Sequence, residues 1–147
     1  MKKNKFSKNW IIKQKRDIYV KKSKLEGYRS RAVYKLQEIN EKFKLIKNNA
    51  LVVDLGAAPG SWSQYISRNF KSSKIISIDL KDIEPIKNLF HIKGDFTEDD
   101  QKIKIQNYFG KKVDLIISDM AVNTTGNKSV DSLVTGELCI EAMNFAV

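Results

Sequence analysis

Four aspartates stand at, or just after, the ends of short apolar runs of the kind that form buried strands. They are Asp54, Asp79, Asp95 and Asp119. Any one of them alone could be a loop residue or a helix cap, but four acids in such positions are hard to explain as random surface charge. Parallel strands bring their carboxyl ends to one edge of a sheet, where ligands of such folds bind. The four acids therefore predict a binding site at that edge.

The loop after the first apolar run, GAAPGSW, has the composition of a ligand cradle. Gly56 and Gly60 let a ligand approach the backbone closely, and Pro59 stiffens the loop between them. The spacing is G-x-x-x-G, so the pyrophosphate-binding G-x-G-x-x-G pattern is absent. A Walker loop is absent too, because no Lys-Ser/Thr pair follows Gly60. This spacing excludes a nicotinamide dehydrogenase and predicts a ligand without a pyrophosphate.

Two acids downstream indicate what this ligand is. Asp79 lies 19 residues after Gly60, about where an acid accepts hydrogen bonds from two ribose hydroxyls. Asp95 could accept from the exocyclic amine of an adenine. The predicted ligand is an adenosine without a pyrophosphate, and S-adenosylmethionine fits. Its methionine end would lie on the glycine loop, which includes Gly56 and Gly60.

An alternation of strands and helices must position these residues. Apolar runs predict strands, and helical patterns predict the connections between them. The predicted strands cover residues 50–55, 74–80, 89–95 and 113–120, and the predicted helices cover 61–70, 97–109 (opened by Thr97) and 131–147. This rhythm predicts an α/β fold with a parallel sheet and right-handed crossovers, in which the fourth strand is an exposed edge.

Two further helices are predicted before the first strand. The first runs from Asn9 to Leu25, ends near Gly27, and carries Ile11, Ile18 and Leu25 on one apolar stripe. The second runs from residue 30 to residue 43 with Ser30 as its cap. Its apolar stripe consists of Ala32, Leu36, Ile39 and Phe43.

The net charge of +10 is concentrated at one end of the chain. Residues 1–47 contain 16 Lys and Arg against 4 Asp and Glu, whereas residues 48–147 contain 11 against 13. A lysine-rich composition could reflect solubility or codon bias, but neither explains the segregation. The pattern favours a nucleic-acid-binding module joined to a nearly neutral domain.

Several classes of protein are excluded by composition. The single cysteine, Cys139, permits no disulfide framework or cysteine metal cluster. The single histidine, His91, makes a histidine metal site untenable, and we predict no metal and an ordinary strand role for this residue. No apolar run approaches a membrane span, and no secretory signal is visible. We expect a cytoplasmic monomer that does not bind membranes.

Five stretches resemble the FtsJ-type (RlmE) family of ribosomal RNA ribose 2′-O-methyltransferases, in the family's order and spacing. They are GYRSRAVYKLQEI, VVDLGAAPGSWSQY, IISIDL, IKGDF and IISDMAVNTTG. The resemblance implies a Rossmann-like S-adenosylmethionine-dependent methyltransferase fold. It divides the chain into a basic helical RNA-binding arm, residues 1–47, and the N-terminal part of the methyltransferase domain, residues 48–147.

The resemblance also implies roles for individual residues. The positions that match the family's S-adenosylmethionine contacts are Gly60, Trp62, Asp79, Asp95 and Asp119. Trp62 could equally be ordinary core.

Catalytic and RNA-facing positions are implied in the same way. Lys35 and Asp119 match the lysine and the aspartate of the family's lysine–aspartate–lysine–glutamate catalytic set. Arg29 and Arg31, with Lys35, fall in its RNA-facing basic element. On residue type alone, Lys35 could instead be a solvated or phosphate-contacting lysine. A lysine can take the proton of a ribose 2′-hydroxyl once its ammonium form is disfavoured, and an aspartate can orient it.

The predicted partner is ribosomal RNA, with a uridine of the large-subunit (23S) RNA as the expected target. Within the family, methylation of a tRNA anticodon loop or of an mRNA cap is an alternative. From another class, a non-catalytic RNA-binding or ribosome-assembly protein is also compatible with the sequence.

The chain departs from the family pattern in three places. Ser61 and Val122 replace a usual glycine and proline. Nothing after Asp119 matches the second catalytic lysine or the glutamate, and Lys128 is not a candidate for that lysine. We therefore expect an N-terminal fragment that retains much of the cofactor pocket but has little transfer activity alone.

Overall fold

The computed structural model describes residues 17–120 and 125–147, together with the single positions 9, 11 and 13. Residues 17–120 and 125–147 contain five helices and four strands, and positions 9, 11 and 13 are also helical. The helices are α1 (Ile18–Leu25), α2 (Val33–Phe43), α3 (Ser61–Asn69), α4 (Asp99–Tyr108) and α5 (Lys128–Ala146). The strands are β1 (Leu51–Leu55), β2 (Lys74–Asp79), β3 (Leu89–Lys93) and β4 (Leu115–Ser118). Val122 lies outside the described residues.

The four strands form one parallel sheet in the order β3-β2-β1-β4. All five residues of β1 are buried, as its largely apolar sequence predicts, and they include one acid, Asp54. From β1 the chain adds β2 and β3 on one side and then returns to add β4 on the other. The order therefore reverses beside β1, which makes the carboxyl end of β1 the expected ligand site. The predicted α/β class, parallel sheet and edge position of β4 are confirmed.

The core has two halves, one on each face of the sheet. Val52 packs with α2 and α3 in one cluster, whereas its neighbour Val53 packs in the other, below α4 and α5. Successive strand residues point to opposite faces, so a strand covered on both sides divides its residues in this way. No helix in the described part of the chain combines the length and apolar character that a bilayer crossing requires.

The prediction of one helix from Asn9 to Leu25 is wrong at Asp17. Residues 10, 12 and 14–16 lie outside the described residues, but Asp17 is extended (φ −69°, ψ 114°) and its carboxylate caps α1 by accepting from the Tyr19 N–H. The apolar stripe does not face the core either, because Ile18 is 71% and Leu25 is 89% exposed. The residue of α1 that is buried is Ser23.

The second helix is shorter than predicted, and half of its stripe is exposed. It begins at Val33, and Ser30 instead bonds the Ala32 N–H and the hydroxyl of Ser61. Leu36 is buried as expected, but Ile39 and Phe43 are exposed.

The buried side of α2 consists of Val33, Leu36 and Asn40. The Oδ1 of the buried Asn40 accepts from the N–H of the buried Ile46 at 2.9 Å, so it bonds to the segment after the helix. The segment that this bond holds connects α2 to β1.

Two later helix starts also differ from the prediction. Helix α4 begins at Asp99 after Glu98, and Thr97 bonds to Asp95 instead of capping the helix. Helix α5 begins at Lys128, earlier than predicted, because Asn127 accepts from two backbone N–H groups of its first turn.

Gly56 is a position where the fold requires glycine, which a matched pair of substitutions can test. Its φ is +69°, and a Cβ there would overlap the side chain of Met120. We expect Gly56→Ala to lower the free energy of unfolding by about 2 kcal/mol or more, from backbone strain and the displaced methionine. Gly136, in the interior of α5, faces open space. Gly136→Ala should therefore raise stability by about 0.5–1 kcal/mol. Urea denaturation measures both, and equal effects would contradict the interpretation.

Candidate functional site

A cavity of about 510 Å³ opens at the carboxyl edge of the sheet. Loops after all four strands line it, together with one residue of α5. The lining residues are Gly56, Ala58, Ile78, Asp79, Leu80, Lys81, Gly94, Asp95, Phe96, Asp119, Met120 and Leu138. Because these loops follow adjacent parallel strands, the topology brings together three of the four acids at the strand ends.

Asp79 is fixed between two loops. It is the last residue of β2, and its carboxylate accepts from the Ala58 N–H at 2.9 Å and from the Lys81 N–H at 2.8 Å. Each oxygen of an ionised carboxylate has two lone pairs, so each can still accept from a ligand hydroxyl. The arrangement suits recognition of a diol by a carboxylate that does not need to reorient.

Asp95 is held from one side only. Both of its bonds within the described residues, from the Thr97 N–H at 2.9 Å and the Thr97 hydroxyl at 2.7 Å, use Oδ1. Asp95 lies two residues beyond the end of β3 and lines the cavity. Its Oδ2 can therefore accept from an N–H donor of a ligand.

Lys35 and Asp119 meet although 84 residues separate them. Lys35 Nζ lies 2.9 Å from Asp119 Oδ1, and the lysine side chain is 65% exposed. Asp119 follows the last residue of β4 and lines the cavity, so the pair lies at the cavity edge with the amine open to solvent. A large substrate could reach this amine from outside while a small molecule occupies the cavity.

Asp54 differs from the other three acids because it lies within β1 and is fully buried. Burial raises its pKa to about 7, the bond from the Ser63 hydroxyl opposes that rise, and the charges of Asp119 and Asp79 add to it. The protonation state of this carboxyl, in the strand that precedes the glycine loop, therefore changes near neutral pH.

Gly60 and Trp62, which the sequence predicts as cofactor contacts, do not line the cavity. Trp62 is buried in the core, its indole N–H donates to the Ala32 carbonyl at 2.7 Å, and it lines a smaller pocket together with Asp54 and Asp119. Gly60 precedes α3 with φ +99° and has Arg29 against its α-carbon. The structure thus places both residues around the loop, with Trp62 also part of the core.

Arg29 and Arg31 have different environments. The Arg29 guanidinium donates to three carbonyls, those of Pro59, Glu84 and Pro85, and so ties the glycine loop to the segment after β2. Arg31 is exposed and paired with Asp17. Of the two, only Arg31 presents its charge on the surface without bonds to the loop.

His91 and Leu138 are site-related residues that the sequence does not reveal. The His91 Nε2–H donates to the Lys81 carbonyl at 3.0 Å and its Nδ1 bonds the buried Ser77 hydroxyl at 2.8 Å, so it holds the loop that lines the cavity beyond Asp79. His91 lies opposite Ser77 in the neighbouring strand β2, a register that the sequence alone does not give. Leu138 reaches the cavity from a helix whose docking no local pattern predicts.

The fold and the site define a Rossmann-like α/β protein with a small-molecule cavity at the point where strand order reverses. Residues 28–147 match the model of the FtsJ-like methyltransferase family, and the chain belongs to that family. The resemblance found in the sequence motifs is confirmed.

Curated relatives and a solved structure agree. The chain is 62% identical, over 99% of its length and 72% of the relative's, to "Ribosomal RNA large subunit methyltransferase E" of Pelagibacter ubique. It is 49% identical to the protein of the same name from Rickettsia akari, over 96% of this chain and 65% of that one. A crystal structure of a ribosomal RNA methyltransferase from Plasmodium falciparum superposes with a TM-score of 0.73 at 39% identity, covering 80% of this chain and 70% of that chain.

The buried carboxyl of Asp54 predicts a specific dependence of stability on pH. Its pKa is 3.8 in the unfolded chain and about 7 in the native state, so the native state binds the extra proton between these values. Through Asp54 alone, the free energy of unfolding should fall by about 1.4 kcal/mol per pH unit from pH 4 to pH 7 and level off above. Asp54→Asn, which mimics the protonated form, should lack this contribution. Parallel stability curves of the two proteins in urea titrations would contradict it.

Proposed function

We propose that this chain forms the cofactor-binding part of a ribose 2′-O-methyltransferase that uses S-adenosylmethionine and acts on a uridine of large-subunit ribosomal RNA. The ion pair of Lys35 and Asp119 at the edge of a cavity that contains Asp79 and Asp95 carries the proposal. The names of the relatives support ribosomal RNA as substrate. The chain spans 65–72% of these two relatives' lengths, so the activity of the whole protein is part of the proposal.

The cavity residues fit S-adenosylmethionine. A volume of about 510 Å³ lies within the range of roughly 300–1,000 Å³ typical of small-molecule sites. Asp79 would accept from the ribose hydroxyls and Asp95 from the adenine amine. Gly56 lines the cavity, where the backbone of its loop would contact the methionine end. When bound, the cofactor supplies a methyl group attached to a positively charged sulfur, and this methyl group is a good electrophile.

The residues at the cavity edge would then act on the nucleophile. A ribose 2′-hydroxyl is a weak nucleophile, so it must be aligned with the methyl group and relieved of its proton. Lys35, held by Asp119 and open to solvent, is placed to contact that hydroxyl. In its neutral form its amine could take the proton of that hydroxyl.

Cofactor affinity tests the role of Asp79 separately from catalysis. In Asp79→Asn the amide nitrogen cannot accept a hydrogen bond, so one loop contact and one ligand contact are lost. We expect the dissociation constant for S-adenosylmethionine to rise about 10–100-fold by calorimetry, the equivalent of one charge-assisted hydrogen bond. The control is Asp82→Asn, an exposed aspartate three residues on that pairs with Lys93. Equal affinities of the two variants would contradict the assignment, and a wild-type chain that binds no cofactor would leave the RNA-binding alternative.

Methyl transfer tests Lys35. In the whole enzyme, Lys35→Met should leave cofactor affinity unchanged and lower the rate of methyl transfer to ribosomal RNA by about 100-fold or more, the contribution of a positioned base. Lys42→Met, on the same helix, is the control for loss of one positive charge. The assay measures labelled methyl incorporation, with the rate constant and the Michaelis constant for RNA determined separately. A change confined to the Michaelis constant would assign Lys35 to RNA binding alone.

A further inference from the structure

Three tyrosines near the start of the described chain form a continuous row. Tyr19 in α1 lies 5.6 Å, centroid to centroid, from Tyr34 in α2, with the rings tilted by 42°. Tyr28, between the two helices, meets the same Tyr34 edge-on at 6.4 Å. We call Tyr19, Tyr28 and Tyr34 the tyrosine row. It joins α1 to α2 through aromatic contacts.

Two cations lie against the rings of this row. Lys22 Nζ is 4.7 Å from the centroid of the Tyr34 ring, and the Arg68 guanidinium is 4.8 Å from that of Tyr28. Arg68 also donates to the carbonyls of Glu26 and Gly27, which fixes it in place. The row is therefore an aromatic surface with positive charge on its flanks.

The acids beside the row are already paired. Glu26 accepts from the Tyr34 hydroxyl at 2.7 Å and lies 4.0 Å from Lys22, while Asp17 caps α1 and pairs with Arg31. Burial and the bond to Glu26 raise the pKa of Tyr34, which keeps its hydroxyl a hydrogen-bond donor. From residue 17 to residue 35 there are six Lys and Arg against these two acids. The surface as a whole is positive.

Tyr19 is the member of the row that remains available to a partner. It is 51% exposed, although it rests on Tyr34, so a ring is held in place with about half of its surface in water. A tyrosine has few rotatable bonds, and one already packed against a neighbour loses little entropy when it binds. Exposed aromatic rings among cations are the combination that binds unpaired nucleotides, because every base has a flat face that can stack.

We propose that the tyrosine row is a stacking platform for an unpaired nucleotide of the RNA substrate, with Tyr19 as the ring that contacts the base. This deepens the proposed function and rests on it for the identity of the partner. In an A-form duplex the base faces are covered by their neighbours, so the platform selects a loop, bulge or single strand. Tyr34 and Lys35 are consecutive in α2, which places the platform on the helix that carries the proposed catalytic amine.

The test compares RNA binding by variants of the full chain at several salt concentrations. The probes are a single-stranded oligonucleotide and a duplex of the same length. Tyr19→Ala should raise the dissociation constant for the single strand about 5–100-fold and leave the duplex unchanged, since stacking contributes about 1–3 kcal/mol per base. Tyr19→Phe should bind as the wild type does, because the ring and not the hydroxyl stacks.

Salt dependence separates stacking from charge. Tyr19→Ala should not alter the slope of log affinity against log salt, because no cation is lost, whereas Lys22→Gln should flatten that slope. The matched control is Tyr108→Ala, a tyrosine 48% exposed in α4 that stacks on Phe90. Circular dichroism checks that the variants are folded.

Each outcome decides the proposal. It is overturned if Tyr19→Ala binds the single strand like the wild type, or loses as much affinity for the duplex as for the single strand. It is also overturned if Tyr108→Ala causes the same loss of affinity for the single strand. A wild-type chain that binds S-adenosylmethionine but no RNA also overturns it while leaving the cofactor site intact. Tyrosine-dependent RNA binding without cofactor binding would instead support the platform and contradict the proposed transferase activity.

Discussion

The pairing of β1 with β2 on one side and β4 on the other is the constraint on which the site depends. A strand with neighbours on both edges and helices on both faces is buried throughout, and the loop that follows it leaves at the carboxyl edge of the sheet. There it meets the loops after β2 and β4. Gly56 allows this meeting because the Met120 side chain occupies the space of a Cβ. The same geometry brings Asp79 within hydrogen-bond distance of the backbone of the glycine loop. The pairing of the strands therefore positions the loops that form the cavity wall.

Helix α2 connects the sheet to the part of the chain that would meet a large partner. Its buried side, with Val33 and Leu36, belongs to the same core cluster as β1 and β2. The side chain of Lys35 extends from the helix toward Asp119, and the side chain of Tyr34 extends toward α1. One short helix therefore sets the relative positions of core, amine and aromatic surface. A shift of α2 by a fraction of a turn would disturb all three together, which ties the basic segment to the site more tightly than a flexible arm could.

Much of this fold could be predicted from sequence because the signals were local. Apolar runs identified all four strands, and the rule that parallel strands end at one edge placed three of the four acids together. The pair of Lys35 and Asp119 came only from family resemblance, since nothing local joins residues 84 positions apart. The prediction that failed was that the apolar stripes of the first two helices would face the core. Ile18 and Leu25 have helical spacing, but periodicity gives a stripe without saying whether another element covers it. The hydrogen bonds of Arg29 to three carbonyls could not be predicted either, because backbone acceptors have no sequence signature.

The electrostatics of the site follow from the same burial that builds the sheet. Asp54 is in the strand, so it is desolvated whatever occupies the cavity, whereas Asp79 and Asp119 are at the rim and keep partners with N–H groups. Their charges disfavour ionisation of Asp54, so this buried group adds less negative charge beneath the cavity at neutral pH than a fully ionised carboxylate would. A cation in the cavity would act in the opposite sense and favour the ionised form. The buried acid thus makes the charge of the site responsive to a positively charged ligand, without any movement of the backbone.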